Sequence, residues 1–403
     1  MITSTIIIIL CSLLILAYLF DLTSSKTNIP SVILLMFLGW IVKQFSLLFD
    51  IHIPDLSTIL PVLGTVGLIL IVLEGSLELN IQKNKAGLIF KSFMGSFLSI
   101  TVMMIILALI FSFFGFNDYR TNIINIIPLC IISSAIAIPS VRNLVSGDKE
   151  FVVFESSFSD IIGVLVFNFF IMNTEYQMSS VSEFIFQLIV MIFISLIATV
   201  LLSFLLSKIE HHIKFVPIVL LLILIYSASK SFHLPALIFI LLFGIVISNF
   251  DRFIHLKWIE KFNLHDLRKE TIKFHEIIVE MTFLVRSLFF LLFGYLIETS
   301  EILDTETLFW SLGIILVIYL VRAAQLKMSN INFSPLLFVA PRGLITILLF
   351  LSIDTSLNMA IVNKSLITQI ILLTSFIMMF GLMTVKKKQP VSEDELINSI
   401  PRN

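Results

Sequence analysis

From end to end, this chain is divided into apolar runs of about twenty residues with short polar breaks between them. A run of that length matches the thickness of a bilayer's hydrocarbon core, and helix satisfies its backbone without help from water. The runs fall at 4–20, 30–47, 59–79, 88–116, 122–145, 151–173, 182–208, 214–230, 234–250, 277–298, 307–326, 334–353 and 366–385. The reading is an all-α polytopic membrane protein of about 13 transmembrane helices. Composition agrees: 58% of the 403 residues are hydrophobic and 13% charged, far more apolar than a soluble core needs. The first run lacks a basic leader and a small-residue cleavage site, so it counts as a span rather than a signal peptide. The formal net charge of −1 speaks for no nucleic-acid partner. Cys11 and Cys130 both lie in expected spans and make no disulfide framework. No spacing matches a zinc site, a phosphate loop or a nucleophile elbow, so neither a cofactor nor an enzymatic reaction is expected.

An odd number of spans puts the termini on opposite sides, and the basic residues choose which. An outside N-terminus places Lys83, Lys85, Lys91, Arg142, Lys149, Lys214 and Lys327 in the cytoplasm, with the basic segment 251–276 and the tail 386–403. Only Arg120, Lys230 and Lys364 then face outward, with Lys43 near an outer end. The positive-inside rule therefore gives an N-terminus outside and a C-terminus in the cytoplasm, in a cell (inner) membrane. Segment 251–276 mixes Phe253, Ile254, Trp258 and Ile259 with charges and reads as an amphipathic linker helix on the cytoplasmic surface. A plain solvated linker is the alternative. His211, His212, His255, His265 and His275 fall on the same side, either as solvated loop residues or as a pH sensor.

The whole of 1–403 reads as one membrane domain with a weak internal symmetry. Residues 1–173 and 214–385 superpose by span count, with 182–208 as a connecting span, which makes them inverted repeats. In that pairing 133–140 of the fifth span (Ser-Ser-Ala-Ile-Ala-Ile138-Pro139-Ser140) answers 339–343 of the twelfth (Val-Ala-Pro341-Arg342-Gly343), each with a proline inside an apolar run. Matching interruptions in the two halves point to the substrate site of a secondary transporter. Two ordinary proline kinks are the alternative.

Between them runs 151–170, FVVFESSFSDIIGVLVFNFF, with two carboxylates inside an otherwise apolar span. An ionisable group at that depth faces a polar cavity or a partner. Glu155, Ser156, Ser159 and Asp160 fall on one stripe at helical spacing. A rise of 1.5 Å per residue puts Asp160 about 13 Å deep, with Glu155 and Arg322 both about 6 Å from the cytoplasmic face. Glu155 and Arg322 are therefore expected to pair. Arg286 lies at about the depth of Asp160 and Arg342 beside the second interruption, as supporting charges. Asp160 is left as the exchangeable acid, holding a proton or a metal cation in turn. Glu74 lies near the cytoplasmic end of the third span, where it snorkels into a vestibule.

Glu155-Ser156-x-x-Ser159-Asp160, Val339-Ala-Pro341-Arg342-Gly343, Ser134-Ala-Ile-Ala-Ile138-Pro139 and Glu74-Gly-Ser-Leu-Glu78 together are similar to segments of one family. The chain resembles the monovalent cation/proton antiporter superfamily, the sodium/proton exchangers. That resemblance implies crossed discontinuous helices, a core domain that carries Asp160 past a dimerisation domain, and a homodimer. It implies Na⁺, K⁺ or Li⁺ exchanged for H⁺, with Ser156, Ser159 and the backbone near Pro139 and Pro341 completing the coordination. Ser159 stands where the family has Asn or Asp, which implies electroneutral exchange. Ile138 stands where an Asp usually precedes the proline. Rival readings are a symporter or anion carrier in which the arginines hold substrate, and a non-transporting sensor.

Overall fold

The computed structural model describes residues 2–27, 29–50, 56, 58–79, 85–116, 118–173, 178–208, 213–232, 234, 236–250 and 264–384. The described residues form helices with short connections between them, and no strand. The helices are α1 (Ile2–Thr27), α2 (Ser31–Leu48), α3 (Ile59–Glu78), α4 (Ala86–Phe113), α5 (Tyr119–Cys130), α6 (Ser134–Ser140), α7 (Ser146–Met172) and α8 (Met178–Lys208). They continue as α9 (Phe215–Ser231), α10 (Leu237–Ser248), α11 (Leu264–Leu296), α12 (Thr299–Leu303), α13 (Thr305–Met328), α14 (Leu344–Leu351) and α15 (Lys364–Met383). Every run expected to span coincides with one helix or with an interrupted pair. Among the described residues, eight segments are long and apolar enough to cross a membrane by length and composition, and 8–24, 215–231 and 237–248 are shorter apolar helices.

Side-chain oxygens cap several helix starts: Asp118 accepts the Arg120 N–H at 3.1 Å, Asp304 that of Glu306 at 3.2 Å, and Asn363 that of Leu366 at 3.1 Å. Each satisfies a donor that the helix cannot.

The helices sort into two bundles, each drawn from both halves of the sequence. One contains α4–α7 and α13–α15, with α7 against α4, α5 and α6 and α14 against α5 and α7. The other contains α1–α3 and α8–α11, built on α11 against α2 and α3 and on α10 against α3 and α8. They meet where α3 packs on α6, α7 and α14. The second bundle's tightest crossing needs glycine. A Cβ on Gly294 would overlap the Met36 carbonyl oxygen, and one on Gly39 would lie 2.7 Å from the Tyr295 nitrogen. Small residues let membrane helices approach to backbone contact.

One expectation is corrected. Residues 264–276 are not a separate surface helix but the first turns of the 33-residue α11, which runs on unbroken to Leu296. Continuing an existing helix needs no new nucleation, so these turns extend it. The rest of that linker, 251–263, lies outside the described residues, as does the tail 386–403.

Candidate ion-binding site at two interrupted helices

Two spans lose their helix in mid-course. The first does so at Ile131–Ser133, between α5 and α6, with Ile131 at φ −87°, ψ 128° and Ser133 at φ −77°, ψ 113°. Pro128 sits just before it, removing one helical N–H, and Ser133 occupies the N-cap of α6. This corrects the expected position of the break. Ile138, Pro139 and Ser140 belong to α6, and Pro139 sits at that helix's end. Ser133 and Ser134, not Ile138, stand beside the break. The second interruption, Val339–Gly343, separates a single turn at Leu336–Phe338 from α14, as Pro341 and Gly343 led the sequence to suggest.

The interruptions touch. The Ser133 N–H donates to the Pro341 carbonyl at 2.9 Å, and a Cβ on Gly343 would fall 2.7 Å from Ser133 Oγ. Their freed backbone groups are satisfied from outside, as buried polar groups require. Ser159 Oγ of α7 accepts the Ile132 N–H at 2.9 Å. Arg342, 2% exposed, spreads its guanidinium over the carbonyls of Leu129 (2.8 Å), Ala340 (2.9 Å) and Cys130 (3.4 Å). It balances the negative end of α5.

Asp160 lies in this crossing, 1% exposed. Its Oδ2 accepts the Ser134 hydroxyl. Among the described residues its Oδ1 and the Ser133 Oγ have no hydrogen-bond partner. Unpartnered buried oxygens call for an explanation, and a carboxylate beside hydroxyls and loosened carbonyls is a hard-oxygen set suited to a small cation. The expected ligands divide differently from the sequence reading. Ser156 directs its hydroxyl to the Val152 carbonyl of its own helix at 2.8 Å, and Ser159 is engaged with Ile132. Ser134 is bonded to Asp160, and Ser133 Oγ has no partner among the described residues. The signal was a serine pair ahead of an apolar turn, the pattern of a helix start inside a span.

Glu155 is 1% exposed and is held by Arg322 and by the Gln325 amide. Gln325 Oε1 accepts from Arg322 at 2.9 Å, and Arg322 Nε donates to the Leu336 carbonyl at 3.1 Å. The pair expected from depth is present and ties α7 to α13 and to the turn preceding the second interruption. Arg286, expected at the depth of Asp160, makes no ion pair with it among the described residues. It is 6% exposed and faces a cavity of about 40 Å³ shared with Glu74, Glu78, Arg142, Lys149 and Ser134. Its lining comes from α3, α6, α7 and α11 and includes Ser134, whose hydroxyl Asp160 accepts. Glu74 looks into it, as its position at the end of the third span suggested. Of the histidines, His211, His212 and His255 lie outside the described residues, while His275 is on α11.

A family model described as "Sodium/hydrogen exchanger, transmembrane" matches residues 10–386. No curated protein matches the sequence. Among solved structures the fold is similar to that of the sodium proton antiporter MjNhaP1 from Methanocaldococcus jannaschii at pH 8, with a TM-score of 0.70 at 18% identity over 94% of this chain and 100% of that one. An electron-microscopy structure of the same antiporter gives 0.69 at 17% identity, over 96% and 99%. With the family model covering nearly its whole length, this multi-pass membrane chain belongs to the sodium/hydrogen exchanger family.

Proposed function

We propose that the protein exchanges one monovalent cation, Na⁺ or K⁺ with Li⁺ as a congener, for one proton, with Asp160 carrying each in turn. The observation behind this is the free Oδ1 of a carboxylate buried at the crossing of two interrupted helices. With no cation bound, a carboxylate at this depth is driven to take up a proton, because an uncompensated charge there is expensive. A cation entering the oxygen set displaces that proton, so the two ligands exclude one another. Asp160, Ser134 and Ser133 form the set, with backbone carbonyls of the interrupted segments completing it.

The two interruptions carry neutral hydroxyls and one guanidinium spent on carbonyls, so Asp160 supplies the site's single exchangeable charge. One proton for one monovalent cation is then electroneutral. Division into two bundles favours an elevator motion, in which the α4–α7 and α13–α15 bundle slides past the other. A homodimer built on the α1-containing bundle, with the N-terminus outside and the C-terminus in the cytoplasm, completes the reading.

Asp160→Asn in proteoliposomes is the test. A trapped pH dye should report cation-driven proton release with wild type on adding Na⁺, K⁺ or Li⁺, and none with the variant. Exchange surviving in Asp160→Asn removes the assignment, and a response to chloride alone turns the reading toward an anion carrier.

A further inference from the structure

The cavity between the bundles holds a charge that the exchange chemistry does not use. Arg286 sits in the middle of α11, is 6% exposed, and makes no ion pair among the described residues. A guanidinium keeps its proton under any working condition, and buried without a partner it is destabilising. It nevertheless faces the cavity whose lining includes Ser134, the residue on Asp160. A space of about 40 Å³ has room for a few waters or one small ion.

The charges around it balance. From α1, Asp21 takes Arg142 at 3.3 Å, just outside the cavity mouth. Within the cavity, α3 contributes Glu74 and Glu78, the segment from α6 into α7 contributes Arg142 and Lys149, and α11 contributes Arg286. With Asp21 counted, that is three acids against three bases. Glu155 and Arg322 pair separately on the far side of α7. Take away Arg286 and the vestibule keeps a net negative charge, which would concentrate cations in front of the site.

We infer that Arg286 is an affinity-setting residue: a fixed positive charge that offsets Glu74 and Glu78 and so weakens cation entry to Asp160. This rests on the antiport reading above and adds a residue to it. A point charge acts alike on every ion of the same valence, so Arg286 changes the affinity for Na⁺ and Li⁺ by one factor and leaves the choice between them untouched. A guanidinium needed only for packing would not produce that pattern. Standing at the vestibule wall, Arg286 touches no transported ion and is not a ligand.

The experiment compares wild type, Arg286→Gln and Arg286→Lys in proteoliposomes, measuring initial exchange rate against Na⁺ and against Li⁺ at low ionic strength. At an effective dielectric of about 20, one charge removed across roughly 10 Å lowers the KM about fivefold for both ions after solvent screening. Arg286→Lys keeps the wild-type KM. In about 0.5 M choline chloride the difference between Arg286→Gln and wild type narrows only in part, because buried charges are screened much less than exposed ones. An unchanged KM in Arg286→Gln overturns the inference. So does a different factor for Na⁺ and Li⁺. If Arg286→Gln yields no folded protein, Glu78→Gln at the exposed rim carries the test with the opposite sign: its KM rises at low salt, and an unchanged value overturns the inference. Asp160→Asn runs alongside; exchange by that variant brings down the antiport reading itself, whatever Arg286 does.

Discussion

Glu155 and Asp160 lie five residues apart on one helix and have opposite fates. Glu155 accepts from Arg322 and Gln325, while Asp160 accepts from Ser134 and leaves its Oδ1 without a hydrogen-bond partner among the described residues. The difference lies in what faces each: α13 brings a guanidinium to the first, the helix interruption brings hydroxyls to the second. Removing one partner of a buried pair strands the other charge. Glu155→Ala is therefore expected to destabilise the protein by about 3–5 kcal/mol, read as a drop in melting temperature in detergent. Unchanged melting with lost exchange would reverse the two roles. Arg342 tests a second point at this scale. One ammonium cannot span the Leu129, Cys130 and Ala340 carbonyls that its guanidinium reaches. Arg342→Lys should thus melt earlier than wild type, and an equal melting temperature would show that the fork geometry is dispensable.

At the scale of elements, caps and close crossings set where helices begin and how near they lie. Asp118 opens α5, and its carboxyl is held below the usual range mainly by the Thr121 hydroxyl, with the Thr121 and Arg120 N–H groups assisting. A lowered carboxylate contributes stability that is fully present above its unfolded value and is lost as pH falls through its folded value. Asp118→Ala should therefore cost about 1 kcal/mol at neutral pH, and the gap to wild type should shrink in thermal melts taken at increasing acidity. A gap independent of pH would place the effect elsewhere. The α2–α11 crossing is less forgiving. Gly294→Leu would drive a side chain into the Met36 backbone, so loss of folded protein on size-exclusion chromatography is expected. A monodisperse variant with wild-type melting would contradict so close an approach. The break in the first crossed span was expected at Pro139 and occurs at Ile131–Ser133 because a proline near a short helix's end only helps to finish it. The unwound residues before it carry no proline to announce them.

At the scale of the whole molecule, the two bundles meet along α3, and direct ionic contact across the seam includes Asp21 of α1 with Arg142 after α6. If transport requires one bundle to slide past the other, fixing that contact must stop it. Asp21→Cys with Arg142→Cys, in a Cys11→Ser background, should lose exchange when bridged by a short thiol-reactive cross-linker and regain it with a cleavable linker on reduction. Full exchange by the bridged protein would rule out the sliding motion.

The sequence by itself determined the apolar runs, the helical class and the position of each ionisable group along its helix, since these follow from residue order and a fixed rise per residue. Depth alone was enough to match Glu155 to Arg322. What it could not supply was azimuth, the direction in which each helix turns its polar face. That depends on which elements pack together, and here each bundle takes helices from both halves of the chain. Tertiary structure therefore decided that Ser156 turns back on its own helix, that Ser134 reaches Asp160, and that Arg286 looks into the seam and not at the buried acid.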